Sequence, residues 1–326
     1  QGRELGQSGS GTAGMSAADY SRLIDAETWA FIRETESWYP PETASFSVER
    51  QREIYDAMCR AFHRGYPDGV SARDEPFGCV PCRVYEGPVT TATVVYEHGG
   101  GFVVGGLHSH DDVCAEICKE AGVRVVAVDY RLAPEHRHPA HFDDALAATK
   151  AVSARYGGPI VLAGDSAGGA LTASVSHALR GSGISVAGQV LIYPGLGGDR
   201  DKGSYLTHAE APMLTRDDVL YYATVRYPDD MEPLGDATAA ALQDIDFSGL
   251  PPTLIFAAEC DPLCDDGAHY AAEIAAAGGK ARNRVEQGLV HGYLRARRTV
   301  GRAAASFDRI TIAIAALARG QWPEEV

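Results

Sequence analysis

The sequence predicts an α/β fold with a mostly parallel, doubly wound sheet and a small helical cap. From about residue 82 onwards, short runs rich in β-branched residues alternate with segments of helical length, which is typical of a parallel sheet covered by helices on both faces. Between residues 194 and 233 this alternation stops, so we expect an insertion there. A chain of 326 residues can bury one large core together with such a small accessory region.

Seven segments have the apolar, β-branched composition of buried strands. They are Cys82–Tyr85, Thr91–Tyr96, Val123–Val128, Ile160–Ala163, Gly188–Ile192, Thr253–Ala257 and Ala281–Val285. Five segments that lie between or after these strands have the length and composition of helices. They are Asp111–Ala121, His141–Arg155, Ala167–Leu179, Cys264–Ala277 and Thr299–Ala318.

The N-terminal part of the chain precedes the first predicted strand. Residues 1–14 are rich in Gly and Ser and end just before Met15, which predicts a vector-derived leader. Residues 15–70 are predicted to form N-terminal cap helices, because apolar residues recur at roughly helical spacing from Ala17 to Trp38 and Ser47 can cap a second helix.

The rest of the chain is predicted to form the core and a second cap segment. Residues 71–194 and 234–326 are assigned to the core, and residues 195–233 to an inserted cap segment. Thr215 is expected to begin a helix in that segment, with Asp218 in the position of a capping box.

Composition excludes several classes of partner. The formal net charge of −15 argues against binding to nucleic acid or to an anionic membrane surface. No apolar run reaches the roughly 18 residues of a membrane span, and no segment resembles a signal peptide, so we expect a cytoplasmic protein. The seven cysteines are expected to be free thiols, and no four-ligand set of Cys and His indicates a metal site.

The most informative motif follows the strand predicted at Ile160–Ala163. The next residues form a G-x-S-x-G sequence centred on Ser166, and a helix-forming run follows at once. A serine on a sharp turn between a strand and a helix is the arrangement of a nucleophile elbow. We therefore interpret Ser166 as a candidate nucleophile rather than as a residue of an ordinary turn.

A serine nucleophile requires a base and a group that orients the base. His291 lies in a glycine-flanked loop, and Asp261 follows a predicted strand at an end where open α/β sheets bind ligands. Asp261 could instead cap the helix that begins near Leu263, and Glu259, Asp265 and Asp266 are rival acids. The two rival aspartates fall inside the predicted helix and are expected to be solvated.

A glycine-rich loop follows the strand predicted at Thr91–Tyr96. Its sequence is His98-Gly99-Gly100-Gly101, and glycines in such a loop allow several backbone N–H groups to point at one spot. The ordinary alternative is a flexible turn, which the strand before the loop and the apolar residues after it make less favourable.

Together these motifs make the chain similar to the hormone-sensitive-lipase family of α/β hydrolases, in its bacterial carboxylesterase branch. The motifs are the HGGG loop, Tyr130–Glu135 (YRLAPE), GDSAGG around Ser166, DPL from Asp261 and HGY from His291. The resemblance covers the chain from about Val94 almost to its C-terminus. It implies the α/β-hydrolase fold, a serine hydrolase without cofactor or metal, a small-molecule ester as substrate, and a homodimer.

The resemblance also implies a role for each site residue. Ser166 is the nucleophile, His291 the base and Asp261 its orienting acid, and the backbone N–H groups of Gly99, Gly100 and Ala167 form the oxyanion hole. His98 is then structural, because it holds the glycine loop.

Two details of this sequence concern the neighbourhood of the site. Glu97 stands before the HGGG loop, where the family more often has an apolar or aromatic residue. Its alternation with His98 along a strand predicts that its side chain meets solvent or a local ion pair. Arg131 and Glu135 are expected to pair and to brace the loops around the site.

The leading functional hypothesis is therefore a serine carboxylesterase that acts through an acyl-enzyme. An amidase or deacetylase on the same triad, and a catalytically silent small-molecule receptor, remain as alternatives. Bulky residues in the two cap segments predict a shallow acyl pocket, so we expect short acyl chains, from acetyl to hexanoyl, to be preferred. These residues are Trp29, Phe31, Trp38, Tyr39, Met213, Tyr221 and Tyr222.

Overall fold

A computed structural model describes residues 17–326, and the predicted leader at residues 1–14 lies outside them. The described residues form one eight-stranded sheet. Its strands are β1 (Ser71–Phe77), β2 (Val80–Glu86), β3 (Thr93–Glu97), β4 (Arg124–Val128), β5 (Ile160–Asp165), β6 (Val186–Ile192), β7 (Thr253–Cys260) and β8 (Ala281–Val290).

The strand order explains where the functional loops meet. The order is β1-β2-β4-β3-β5-β6-β7-β8. Strand β2 runs antiparallel to both of its neighbours, β1 and β4, and the six strands from β4 to β8 in this order are parallel to one another. The carboxyl ends of β3, β5 and β7 therefore lie along one edge, where open α/β sheets bind ligands. The mostly parallel α/β fold predicted from the sequence is confirmed.

Helices cover both faces of the sheet and extend beyond one edge. They are α1 (Tyr20–Leu23), α2 (Ala26–Glu36), α3 (Val48–Phe62), α4 (Asp111–Ala121), α5 (Ala140–Tyr156), α6 (Ala167–Leu179), α7 (Ser204–Thr207), α8 (Arg216–Arg226), α9 (Cys264–Ala276) and α10 (Gly301–Ala318). None of these helices is both long and apolar enough to cross a membrane.

Two apolar layers, one on each face of the sheet, form the core. One layer packs α4 and α10 against the sheet and also receives Phe31 and Met58 from the N-terminal helices. The other layer packs α5 and α6 against the opposite face. Because both faces are covered, the central strands are buried on both sides.

Helix ends in the two predicted cap segments follow their local sequence. Ser47 accepts a hydrogen bond from the N–H of Arg50 at the start of α3. Thr215 and Asp218 form the predicted capping box at the start of α8. The single helix expected over Ala17–Trp38 is instead divided into α1 and α2, because Asp25 adopts an extended conformation and caps α2 by accepting from the N–H of Thr28.

Strand β1 was not predicted. Its sequence, SARDEPF, carries three charged residues and a proline, and its exposed positions belong to the outermost strand of the sheet. Edge strands commonly carry charges and proline, because these residues discourage further strand pairing. Such a composition also removes the apolar signal by which the other strands were recognised.

The expectation that Glu97 meets solvent or an ion pair is wrong. Its side chain is only 2% exposed, and neither carboxyl oxygen has a hydrogen-bond partner among the described residues. Glu97 ends β3, which lies between β4 and β5 in the middle of the sheet. Helices cover both faces of the sheet at this strand, so a side chain is buried whichever face it occupies.

Candidate active site

Ser166 lies on the turn that joins β5 to α6. Its backbone has φ 54° and ψ −120°, a conformation that is unfavourable for a residue with a side chain. The two flanking glycines make this turn possible. A Cβ atom at Gly164 would meet backbone atoms of Gly168, and one at Gly168 would overlap the carbonyl oxygen of Glu97. The elbow predicted from the motif is therefore formed with β5, α6 and the end of β3 in close contact.

Ser166, His291 and Asp261 lie together in one hydrogen-bonded chain. The Oγ of Ser166 is 2.7 Å from Nε2 of His291, and Nδ1 of His291 is 2.6 Å from Oδ2 of Asp261. A carboxylate can only accept hydrogen bonds, so Nδ1 carries the proton and Nε2 presents a lone pair to the serine hydroxyl. This arrangement can remove a proton from Ser166 during attack on a substrate.

The side chain of Asp261 is fully buried, and its other oxygen accepts a hydrogen bond from the N–H of Leu263, which is the N-cap of α9. The carboxylate therefore contacts both the histidine and the residue that begins the helix. These two contacts fix its orientation. Asp261 is not the N-cap residue that the sequence offered as the alternative, because Leu263 occupies that position.

The rival acids have other partners. Glu259 accepts from the N–H of Gly288, and Asp265 accepts from the N–H of Ser204. Asp266 was expected to be solvated, but it is fully buried and accepts from the Leu196 N–H and the Tyr205 hydroxyl. Burial raises the pKa of Asp266 to about 6 in spite of these hydrogen bonds. Helical position alone did not predict its burial, because the loop after β6 folds over α9.

The glycine loop lies beside Ser166, but its first N–H group is already used. The N–H of Gly99 donates to Oδ1 of Asp165 at 3.0 Å, so this group is not free to bind an oxyanion. By contrast, the N–H groups of Gly100, Gly101 and Ala167 have no acceptor among residues 17–326. The assignment of Gly99 to the oxyanion hole is thus contradicted, because the carboxylate of Asp165 competes for that donor.

Asp165 is a residue whose importance the sequence did not reveal. Besides Gly99, its carboxylate accepts from the Tyr96 hydroxyl at 2.8 Å and lies 3.0 Å from Nε2 of His110. Burial acts to raise the pKa of Asp165, but His110 and the Tyr96 hydroxyl outweigh it and hold that pKa well below its ordinary value. Because Asp165 directly precedes Ser166, its carboxylate connects the glycine loop to the turn that carries Ser166.

His98 supports the glycine loop from behind. Its ring stacks on Tyr130 with centroids 4.3 Å apart, and its Nδ1 is 2.7 Å from the carbonyl oxygen of Gly99. Burial and the nearby His110 lower the pKa of His98 to about 3, so the ring is neutral. These contacts agree with the structural role that the resemblance implies for this histidine.

The pairing expected between Arg131 and Glu135 does not occur. Arg131 binds Asp144, whereas Glu135 binds Arg52 on α3 at 2.8 Å. Arg52 also donates to the carbonyl oxygens of Val103 and Ala133. The loop after β4 is therefore connected to an N-terminal helix rather than braced by its own residues.

A cavity of about 960 Å³ opens in front of Ser166, and we call it the Ser166 cavity. Its walls include His291, the glycines at 100 and 101, and residues of α2, α3 and α8. This volume lies towards the upper end of the range for small-molecule sites. Apolar and aromatic side chains from both predicted cap segments thus surround the candidate nucleophile.

Five of the seven bulky residues singled out from the sequence line this cavity. They are Trp29, Tyr39, Met213, Tyr221 and Tyr222. The other two do not: Phe31 is buried in the core against Phe62, and Trp38 is 40% exposed at the surface. The ring of Tyr222 lies over Gly101, where a Cβ atom would meet it.

No group of three or more His, Cys, Asp or Glu side chains within residues 17–326 is arranged to hold a metal ion. The seven cysteines, all of which are described, are free thiols. Burial raises the pKa of the two cysteines that flank Asp261, Cys260 and Cys264, to about 12 each, so both remain protonated near neutral pH.

Comparison with known proteins places this chain among esterases. A family model described as alpha/beta hydrolase fold matches residues 94–295. Carboxylesterase NlhH of Mycobacterium tuberculosis is 41% identical over 227 residues, which span 66% of this chain and 71% of that protein. Ethyl acetate hydrolase of Pseudomonas putida is 33% identical over 236 residues, which span 66% and 72%. A solved esterase of the bacterial hormone-sensitive lipase family superposes with a TM-score of 0.81 at 26% identity, and covers 89% of this chain and 98% of that one.

Proposed function

Since the chain belongs to the hormone-sensitive-lipase family of α/β hydrolases and is a carboxylic ester hydrolase, we propose that it acts by serine catalysis with Ser166 as nucleophile. The observation that carries this proposal is the chain of hydrogen bonds from Asp261 through His291 to Ser166, with distances of 2.6 and 2.7 Å. Both the length of these contacts and the order of the residues along the sequence are those of the triad in this fold.

The proposed reaction has two steps. Nε2 of His291 takes the hydroxyl proton of Ser166 as Oγ attacks the ester carbonyl, and the same proton then passes to the departing alcohol. Water attacks the resulting acyl-enzyme, again with His291 as base, and releases the carboxylic acid. Asp261 stabilises the protonated imidazole in both steps and keeps it correctly oriented.

The oxyanion formed in each step requires hydrogen-bond donors. We assign this role to the free N–H groups of Gly100, Gly101 and Ala167, which replaces the set with Gly99 that the resemblance implied. Two observations support the revised set: Asp165 occupies the N–H of Gly99, and both Gly100 and Gly101 line the Ser166 cavity. Loss of one such donor typically lowers turnover by about 10²–10³.

The two predicted cap segments, residues 15–70 and 195–233, are proposed to form one lid that shapes the substrate site. Residues of α2, α3 and α8 line the Ser166 cavity, which supports this division of the chain. We also propose that the preferred acyl groups are short, from acetyl to hexanoyl. The name of the Pseudomonas putida relative, ethyl acetate hydrolase, agrees with such a preference.

The decisive experiment is labelling with an organophosphonate ester, followed by identification of the labelled peptide. We expect the label on Ser166, and we expect Ser166→Ala to lose both the label and the hydrolysis of 4-nitrophenyl acetate. Ser174→Ala is a matched control, because Ser174 lies on α6 and its buried hydroxyl has no hydrogen-bond partner among the described residues. Labelling of another serine in an active preparation would show that the nucleophile is wrongly assigned.

A further inference from the structure

The Ser166 cavity contains a buried arginine that no carboxylate neutralises. Arg226 is the last residue of α8, lines the cavity and is 6% exposed. Its Nε donates to Nε2 of His141 at 3.1 Å, and its Nη1 donates to the hydroxyl of Tyr227 at 2.8 Å. Within the described part of the chain, Nη2 has no acceptor and no carboxylate forms an ion pair with this guanidinium.

The groups around Arg226 do not supply a negative charge. His141 is fully buried, and burial together with Arg226 lowers its pKa to about 2, so it is a neutral acceptor. The Tyr227 hydroxyl links Arg226 to the carboxylate of Glu232, which itself pairs with Arg200 at 2.7 Å. Two arginines therefore share one carboxylate, and this part of the cavity wall carries a net positive charge.

Two aromatic rings hold the guanidinium in place. Its central carbon lies 3.7 Å from the centroid of Phe102 and 4.8 Å from that of Tyr227. Cation–π contacts of this kind offset part of the cost of burial and fix the plane of the group. A buried charge is nevertheless normally paired, because its loss of hydration is expensive. An arginine that is held so firmly and lacks an anion is prepared to bind one.

The position of Arg226 connects it to the chemistry. Phe102, on which it stacks, directly follows the glycine loop, and Tyr222, one helical turn earlier in α8, covers Gly101. Arg226, Phe102 and Ser166 all line the same cavity. An anion held by Nη2 would therefore belong to a molecule that also lies in the cavity of the nucleophile.

We propose that the preferred substrates are esters that carry a second, ionised carboxylate, which accepts a hydrogen bond from Nη2 of Arg226. This inference rests on the proposed function and specifies its substrate class. Guanidinium groups bind carboxylates through short, charge-assisted hydrogen bonds of defined geometry. Hydrolysis of such an ester consumes one water molecule, breaks the acyl–oxygen bond, and yields a carboxylate, an alcohol and one proton. A carboxylate on the acyl part makes the acid product a dicarboxylate, and one on the leaving group stays on the alcohol.

The acidic character of the chain does not oppose this preference at short range. Four of the carboxylates that line the cavity, at Glu36, Glu210, Asp217 and Asp218, are exposed to solvent. The other two already have partners: buried Asp165 lies against His110 and accepts from the Tyr96 hydroxyl and the Gly99 N–H, and Glu232 pairs with Arg200. Exposed charges are screened over about 10 Å at about 0.1 M salt, whereas a buried guanidinium is screened much less. The net charge of −15 thus affects the approach of an anion more than its binding.

Arg295 is a second cavity arginine without a carboxylate partner among the described residues, and it is the natural rival. Its Nη2 donates to the Tyr55 hydroxyl and approaches Sγ of Cys59, while its Nε is inaccessible and unpaired. Nη1 of Arg295 likewise has no acceptor among residues 17–326, so a free nitrogen does not separate the two arginines. We place the substrate carboxylate at Arg226 because two rings, at 3.7 and 4.8 Å, fix its guanidinium, whereas a single ring lies 5.0 Å from that of Arg295.

The test compares esters that differ only in charge. One pair is monoethyl glutarate and its neutral amide analogue, ethyl 5-amino-5-oxopentanoate, which place the variable group in the acyl part. The other pair is 4-acetoxybenzoate and 4-acetoxybenzamide, which place it in the leaving group. For at least one pair we expect kcat/KM of the wild type to favour the acid by about 10- to 100-fold, mainly through KM, as a charge-assisted hydrogen bond gives.

Variants then assign the effect to one residue. Arg226→Gln is expected to reduce the acid-to-amide ratio to about one, and Arg226→Lys to restore part of it. Arg216→Gln is the matched control, because Arg216 lies on the same helix, binds Asp201 and does not line the cavity, so its ratio should equal that of the wild type. Circular dichroism establishes that each variant is folded.

Each outcome separates this inference from the proposed function. If both esters of each pair are hydrolysed at equal rates, or if the amide-bearing ester is hydrolysed faster, the inference is overturned and the proposed esterase function stands. Absence of hydrolysis of all four esters would contradict the proposed function itself. Loss of the preference in Arg295→Gln, but not in Arg226→Gln, would overturn the choice of arginine. If Arg226→Gln does not fold, inhibition of the wild type by glutaramate, which carries one carboxylate, is compared with inhibition by the neutral glutaramide: stronger inhibition by glutaramate supports the inference, and equal inhibition overturns it.

Discussion

Replacement of Glu97 by glutamine should stabilise the protein, and increasingly so at higher pH. Burial, with a smaller contribution from Asp144, raises the pKa of Glu97 from its ordinary value of 4.5 to about 8. Between these values the folded chain keeps a proton that the unfolded chain has lost. The stability of the wild type therefore declines as the pH rises through this window, and it levels off above the folded pKa. Glutamine has nothing to ionise and avoids this decline.

The size of the effect follows from the two pKa values. A tenfold change in a protonation equilibrium corresponds to about 1.4 kcal/mol. The raised pKa of Glu97 thus predicts that the substitution increases the free energy of unfolding by about 2 kcal/mol at about pH 6 and by at most about 5 kcal/mol at high pH. The difference in free energy of unfolding between variant and wild type should accordingly grow by about 3 kcal/mol from about pH 6 to about pH 9.

Urea denaturation of both proteins from about pH 6 to about pH 9 measures this difference in free energy of unfolding. This pH range lies above the isoelectric point of about 5.1, near which low solubility is expected. Effects of the new amide that do not depend on pH cancel in the comparison. Glu86→Gln is the control, since hydrogen bonding to Arg124 lowers the pKa of Glu86 despite the opposing effect of its burial. A stability difference for Glu97→Gln that is constant with pH would refute the reasoning, because the buried carboxyl would then not be protonated in the folded chain.

Three further outcomes are expected. Asp261→Asn should fold, by circular dichroism, yet lose about 10³–10⁴ in kcat because the histidine tautomer is no longer fixed, and a larger loss in Glu259→Gln would identify a different acid. Gly168→Ala should lower the free energy of unfolding in urea by about 2 kcal/mol or more, because the new methyl group overlaps the Glu97 carbonyl. Gly87→Ala meets only ordinary contacts, so its loss of stability should be less than half as large. In a series of 4-nitrophenyl esters kcat/KM should be highest between acetyl and hexanoyl and fall steeply by decanoyl, and a maximum at decanoyl or longer would mean that the cavity acts as a tunnel.

The sequence was most informative where a pattern determines local structure directly. Buried parallel strands and the strand–turn–helix around Ser166 depend on composition and on two glycines, so the fold class was predicted and is confirmed. The proximity of Asp261 and His291 was also expected from their positions at strand ends, and the two side chains do meet. Their catalytic roles stay predictions.

The errors have a common physical origin in tertiary contacts. Which glycine N–H is free depends on Asp165, a position that the G-x-S-x-G pattern leaves variable. The burial of Glu97 depends on the helix layer beneath β3, and the burial of Asp266 depends on a loop that folds over α9. A sequence pattern specifies which face of an element a residue occupies, but it does not specify what covers that face.

The contacts of Arg52 bear on how readily parts of this enzyme can be exchanged with those of its relatives. One side chain on α3 holds two carbonyl groups and Glu135 in the segments that follow the glycine loop and β4. A chimaera that received another N-terminal segment without an arginine at this position would lose all three contacts at once. Recombination at this boundary would therefore disturb the support of the glycine loop as well as the shape of the proposed lid. In directed evolution, Arg52 and its three partners should therefore be exchanged together, because their contacts join α3 to the segments that follow the glycine loop and β4.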